Sequence, residues 1–197
     1  MKKIVFATGN MGKMREIREI MDGCGYEIVS MKEAGADPEI VEDGTTFEEN
    51  ALIKARAVHE LISDAIVMAD DSGLVVDALG GEPGIYSARY LGEDTPYTVK
   101  NNDIIRRLEG VPDEKRSARF VCAIAAVLPD GSEKVVRETV EGRIGYEEKG
   151  EHGFGYDPIF YVPELGCTTG EIPELEKNKI SHRGKALRKM RTELFEK

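Results

Sequence analysis

Glu42-Asp43, Glu48-Glu49 and Asp70-Asp71 are carboxylate pairs placed where secondary-structure elements begin or end. Carboxylate oxygens are what Mg2+ prefers, and Mg2+ keeps several waters and shares a substrate's phosphates. Asp70-Asp71 directly follows the apolar run 65–69, which puts it at the C-terminal end of a strand, where α/β sheets place ligands. Ser72-Gly73 comes next and lets a backbone approach closely. For Asp71 a functional role is therefore favoured. Glu48-Glu49 reads more simply as first-turn compensation of a helix dipole. Lys54 lies 12 residues after Glu42; the two flank one site if the intervening helix N-terminus points there, and otherwise Lys54 snorkels.

The second feature is Thr8-Gly9-Asn10-Met11-Gly12-Lys13. A strand-to-helix turn of this kind directs backbone N–H groups and the positive helix end outward, which suits phosphate. Lys13 adds a point charge. The spacing is not that of a P-loop, and a plain strand–helix turn accounts for it equally well. Gly153-Phe154-Gly155-Tyr156-Asp157-Pro158 interleaves glycines with aromatic rings and an acid. Such a loop can fold against a planar base and stack on it, or it can be a tight turn with a buried anchor. Ser181-His182-Arg183-Gly184-Lys185 places donors at a helix start. The chain has no HExxH, no GxGxxG and no Ser/His/Asp hydrolase signature.

These groups need elements to hold them. The run 3–7 predicts a strand, and Ile17, Ile20 and Met21 follow at helical spacing. Residues 26–30 predict a second strand. Thr46 and Glu49 have capping-box spacing, and Phe47, Ala51, Ala55, Val58 and Ile62 line one face of the helix behind them. A buried strand is expected over 65–69, ending at Asp70, with 75–79 continuing extended. Thr95-Pro96 starts a helix to Leu108. Strands over 117–128 and 133–143 flank Pro129-Asp130-Gly131, a hairpin signal. A short strand over 159–162 and a last helix after Ser181 complete the chain. The order predicts an α/β fold with a mixed sheet and helices packed on it.

The chain has 197 residues, with 27 Lys and Arg against 37 Asp and Glu, a net charge of −10. Its length suffices for a core without staples. The acidity argues against a nucleic-acid or membrane-surface partner, though a local site can still be basic. Cys24, Cys122 and Cys167 form no CxxC pair, which fits a reducing compartment. No apolar run reaches the roughly 20 residues of a membrane helix. A soluble, cytoplasmic protein is expected.

Taken in order, these segments resemble the inosine triphosphate pyrophosphatase, or Ham1-like, family. The matching pieces are Thr8-Gly9-Asn10 with Lys13, Glu42 to Phe47 with Glu49-Asn50-Ala51 and Lys54-Ala55, and Ala69-Asp70-Asp71-Ser72-Gly73-Leu74. They continue with Gly81, Pro83 to Tyr90, Gly153 to Phe160, Glu176-Lys177-Asn178 and Ile180 to Gly184. The resemblance implies one domain over 1–197 and an elongated mixed α/β sheet flanked by helices, in two lobes with a central active-site cleft. It implies a Mg2+-dependent homodimer that hydrolyses ITP, dITP and XTP to monophosphate and pyrophosphate.

By the same resemblance Glu42 and Asp71 hold the metal, Asp71 orients or deprotonates the attacking water, and Lys13, Lys54 and Lys177 contact phosphate. Thr8, Gly9, Asn10, Ser72, Phe154, Gly155, Tyr156, Asp157, His182 and Arg183 are the remaining substrate-binding candidates. Hypoxanthine and xanthine carry a carbonyl at C6 where adenine has an amino group. His182 and Arg183 are read as donors to that carbonyl, Phe154 as the stacking ring and Asp157 as an acceptor for the ring N1–H; a donor pocket then rejects adenine. A Maf-like pyrophosphatase of other base preference and a non-catalytic nucleotide-binding protein are the alternatives.

Overall fold

The first turn of chain is a parallel unit. β1 (Lys3–Phe6), α1 (Met11–Ile20) and β2 (Glu27–Ser30) follow one another, and β1 pairs in parallel with β2 on one side and β3 (Ile66–Val76) on the other. α2 (Phe47–His59) supplies the crossover between β2 and β3. Then come α3 (Tyr97–Arg107), β4 (Ser117–Val127), β5 (Glu133–Ile144), β6 (Phe160–Val162), β7 (Cys167–Thr168), α4 (Glu174–Ile180) and α5 (His182–Phe195). β5–β6 and β6–β7 pair antiparallel. The seven strands run in the order β2-β1-β3-β4-β5-β6-β7, so the sheet is mixed, as expected. This computed structural model describes residues 2–196; Met1 and Lys197, the ends of the expected domain range, lie outside the described residues.

The chain divides into two compact units. One comprises 1–71, 122–138 and 182–197, the other 72–121 and 139–181. Each has its own apolar core. The first unit buries Ile4, Phe6, Met14, Ile17, Met68 and Ile124 with Leu187 and Met190 of α5. The second buries Leu74, Ile104, Leu108, Phe120, Ile144 and Phe160. Among the described residues no helix is long and apolar enough to cross a membrane.

Several local signals act as their chemistry requires. Thr46 Oγ1 accepts from the Glu49 amide at 3.1 Å and the Thr46 amide donates to Glu49 Oε2 at 3.2 Å, a complete capping box at the start of α2. In the β4–β5 connection Gly131 takes φ +81°, which a side chain would strain, and Asp130 Oδ1 accepts from the Ser132 amide. α3 starts at Tyr97, one residue later than predicted, with Pro96 at its cap.

One expectation is corrected, and one helix has no counterpart in the sequence reading. β3 does not stop at Asp70 but continues through Asp70-Asp71-Ser72-Gly73 to Val76. The carboxylates are therefore mid-strand rather than at its C-terminal end. They remain extended because each finds a cation, which removes the usual penalty of an acid inside a sheet. α4 was not legible at all: 174–180 is charged on most positions and lacks an apolar stripe.

Glu33 illustrates a small acid-side contribution to stability. Its carboxylate accepts from the Ser30 amide at 2.7 Å and Ser30 Oγ at 2.9 Å and pairs with Arg18. The Ser30 amide first, and Arg18 next, hold it down from the usual 4.5 to about 2. The folded value lies below the unfolded one, so this stabilisation is complete above about 4.5 and is lost as pH falls toward about 2. Glu33→Gln should flatten the acid limb of the stability curve over that window. Urea midpoints that fall in parallel for both proteins would refute this.

Candidate active site

β3 decides the site in the first unit. Successive side chains on an extended strand leave opposite faces, so the adjacent Asp70 and Asp71 take different partners. Asp70 is 1% exposed and meets Lys13 Nζ at 3.0 Å and Arg183 Nη2 at 3.2 Å. Burial alone would raise its carboxyl, but Lys13, then Arg183 and Lys54, hold it well below the ordinary carboxylate range. Arg183 reaches onward to Glu16, which is fully buried on α1.

Asp71 is held from α2. Lys54 Nζ donates to its Oδ1 and Asn50 Nδ2 to its Oδ2, each at 3.3 Å. Asn50 and Lys54 are four residues apart, so they share a helix face. The same Lys54 ammonium donates to Glu42 Oε2 at 2.9 Å, which brings Glu42, Lys54 and Asp71 together as the sequence allowed. The pair is unequal. Burial disfavours the Lys54 ammonium, but Asp71, Asp70 and Glu42 together keep it charged and raise it. Asp71 is raised above the usual aspartate value, first by burial and further by the neighbouring carboxylates of Glu42 and Asp70, against the pull of Lys54 and Lys13.

The turn before α1 is capped from within. Asn10 Oδ1 accepts from the Lys13 amide at 3.0 Å, and Thr8 Oγ1 accepts from the Asn10 amide at 3.2 Å. Gly9 is exposed with open space where a Cβ would stand. Lys13 is thus aimed at Asp70 by a capped helix start, and the Gly9 backbone is accessible. His182 opens α5 and is buried.

In the second unit, Asp157 organises the glycine–aromatic loop. Its Oδ2 accepts from the Phe154 amide at 2.8 Å and from Lys177 Nζ at 2.7 Å, and its Oδ1 accepts from Thr169 Oγ1 at 2.8 Å. Gly153 has φ +74°, and a Cβ there would lie 2.2 Å from Asp157 Oδ2, so the loop admits only glycine. The Lys177 ammonium sits 5.1 Å from the Phe154 ring centroid. Tyr156 is 4% exposed and its hydroxyl donates to the Ser87 carbonyl at 2.7 Å. Gly155 also has positive φ, and its carbonyl accepts from Asn101. Ser72 begins this unit, immediately after Asp71.

Four predicted residues meet partners within the protein itself. The Arg183 guanidinium, read as a donor to a base, is 2% exposed and spans Glu16 and Asp70. Asp157, read as an acceptor for a ring N–H, holds its own loop together. Tyr156, a substrate-binding candidate, is a buried anchor of that loop. Lys177, read as a phosphate contact, is 3% exposed and salt-bridged to Asp157. In each case a buried charge or hydroxyl needed a partner and found one in the protein.

Sequence reasoning passed over Glu16 and Asn50. Both carry a signal: each is a polar residue at a position where the helix periodicity demands an apolar one.

The model of the Ham1 family matches residues 4–193. The chain belongs to the Ham1 family. It is 48% identical over 190 residues to a dITP/XTP pyrophosphatase of Bacillus licheniformis, covering 96% of each chain. A dITP/XTP pyrophosphatase of Desulforamulus reducens is 50% identical over 187 residues, 95% of this chain and 92% of that one. The solved structure of the Staphylococcus aureus Ham1 protein superposes with a TM-score of 0.87 at 41% identity, covering 98% of both chains. The Ham1 segments around Thr8–Lys13, Glu42–Lys54 and Ala69–Leu74 are those that assemble the carboxylate–lysine group of the first unit.

Proposed function

We propose that this Ham1 chain is a nucleoside-triphosphate pyrophosphohydrolase that converts non-canonical purine nucleotides (dITP, XTP and ITP) to monophosphate and pyrophosphate. The observation that carries the reading is Asp71: a buried carboxylate in a family of dITP/XTP pyrophosphatases, with both oxygens held by donors one helical turn apart.

The chemistry follows from charge. A triphosphate brings about four negative charges, and an acidic protein must offer local cations to hold them. Lys13, Lys54 and the exposed backbone at Gly9 supply donors in the first unit. Asp71, raised by burial, is a stronger base toward water than a surface aspartate. Its carboxylate cannot rotate freely because Asn50 and Lys54 each occupy one oxygen, so the lone pair offered to a water has a fixed direction.

A magnesium ion is part of this proposal. The donor set fits it: Glu42 and Asp71 are hard oxygen ligands gathered within reach of one ammonium. Among the described residues no group of three or more His, Cys, Asp or Glu forms a ready cage, in keeping with an ion held by one or two carboxylates plus waters and phosphates. When bound, the ion would neutralise phosphate charge and acidify its water. Phe154, whose amide is pinned by Asp157, is the proposed stacking ring, and His182 a proposed donor to the base.

Pyrophosphate release from dITP, XTP, ITP, ATP and GTP, with and without Mg2+, tests the reading. Release confined to the first three in the presence of the ion is expected. Equal release from ATP, or none from dITP, overturns it. A homodimer in the cytoplasm also remains our proposal. Three free cysteines fit a reducing compartment. Light scattering should return twice the 21.8 kDa chain mass, and a monomer at micromolar concentration would refute the dimer.

A further inference from the structure

Asn50 is fully buried on α2, whose other buried residues are Lys54 and the apolar Phe47, Ala51, Ala55 and Val58. A buried amide costs stability unless both its ends are bonded. Both are. Its Oδ1 accepts from the Gly44 amide at 2.9 Å, and its Nδ2 donates to Asp71 Oδ2 at 3.3 Å. The orientation is forced: a flipped amide would set Nδ2 against an N–H and Oδ1 against a carboxylate.

The contact also tolerates no slack. A Cβ on Gly44 would lie 2.6 Å from Asn50 Oδ1 and 2.8 Å from Glu49 Cβ. Glycine at 44 therefore serves close packing, letting the loop that carries Glu42 press onto the amide. Asn50 joins two carboxylates that are 29 positions apart in sequence: it holds Asp71 directly and the Glu42 loop through the Gly44 backbone. Lys54, one turn on, grips the same two carboxylates by charge. Its ammonium is equally attracted to any phosphate that arrives. The Asn50 amide is neutral, so its hold on Asp71 survives that arrival.

We infer that Asn50 is a positioning residue for the hydrolysis proposed above: it fixes the Asp71 carboxylate and its spacing from Glu42 while Lys54 turns to the substrate. The inference rests on that reading of function. Two substitutions separate its parts. Asn50→Ala removes both bonds. Asn50→Asp keeps an acceptor for the Gly44 amide and removes the donor to Asp71. A third, Gly44→Ala, displaces the amide from the loop side without altering Asn50.

All three should lower kcat for dITP by about 10- to 100-fold, the range typical of groups that orient metal and catalytic ligands. KM and the dissociation constant for dITP measured without Mg2+ should stay within about threefold, because the groups proposed to grip phosphate are untouched. Hydrogen exchange gives a readout independent of turnover. The Gly44 amide should be protected in the parent and in Asn50→Asp, and lose protection in Asn50→Ala. A merely structural Asn50 would lower the melting temperature and leave kcat at 25 °C unchanged.

Parent-like kcat in Asn50→Ala or Gly44→Ala overturns the inference while leaving the proposed activity standing. So does a Gly44 amide that exchanges freely in the parent. A parent protein that releases no pyrophosphate from dITP overturns both.

Discussion

Asp71→Asn should abolish turnover while leaving the protein folded and able to bind nucleotide. The substitution is isosteric; it removes the charge and the proton-accepting capacity and replaces one of the two acceptor oxygens by an amide NH2. Loss of a positioned general base costs about 10²- to 10⁴-fold; with its part in holding the metal removed as well, a fall of at least about 10³-fold is expected. Stability should move the other way. Burial and two neighbouring carboxylates make the Asp71 charge unfavourable in the fold, so a neutral amide relieves strain that serves the reaction. Lys54 retains Glu42 and Asp70 as counter-charges, so its ammonium is not orphaned. The measurement is kcat for dITP with a thermal melt and a nucleotide titration on the same sample. Turnover within tenfold of the parent would remove Asp71 from the mechanism. A melting temperature lowered by more than about 4 °C, roughly 1 kcal/mol for a domain of this size, would show the charge to be structural.

Arg183→Met should have the opposite profile, a large loss of stability. Arg183, Glu16 and Asp70 are respectively 2%, 0% and 1% exposed, and the guanidinium bridges the two carboxylates. A buried ion network can be nearly neutral overall, yet removing one member strands its partners. That costs about 3–5 kcal/mol. Asp70 keeps Lys13 at 3.0 Å, so the greater burden falls on Glu16. Adding Glu16→Gln to Arg183→Met should therefore recover part of the loss, and the coupling in the double-mutant cycle isolates the pair. Urea unfolding measures each term. A loss below about 1 kcal/mol in the single variant would mean the network contributes little.

Much of the first unit was legible in one dimension. The Thr46–Glu49 spacing specified the start of α2, the apolar stripe specified its buried face, and the turn at Asn10 specified the start of α1, because these signals act within a few residues. The Glu42–Lys54 approach was permitted by spacing and is realised at 2.9 Å. The 130–131 turn and the long strands beside it followed from turn chemistry and apolar runs. What failed was of another kind. The end of β3 was misplaced because consecutive acids look like a break in an apolar strand; only the cations gathered around them make an extended Asp70-Asp71 stable. α4 escaped because its charged sequence has no apolar stripe.

Residue types therefore determined the chemistry available to this protein, namely carboxylates, lysines and a capped glycine turn suited to phosphate and a hard cation, and the order of the motifs determined the family. Tertiary structure decided which charges meet inside the protein. Lys177, Asp157, Tyr156 and Arg183 stand out as letters, and because a buried polar group must be satisfied, long-range folding set a partner beside each. Asn50 shows the converse. A polar residue at a buried helix position is its only local mark, and its role exists only because the fold lays the Gly44 loop and β3 against the same turn of α2.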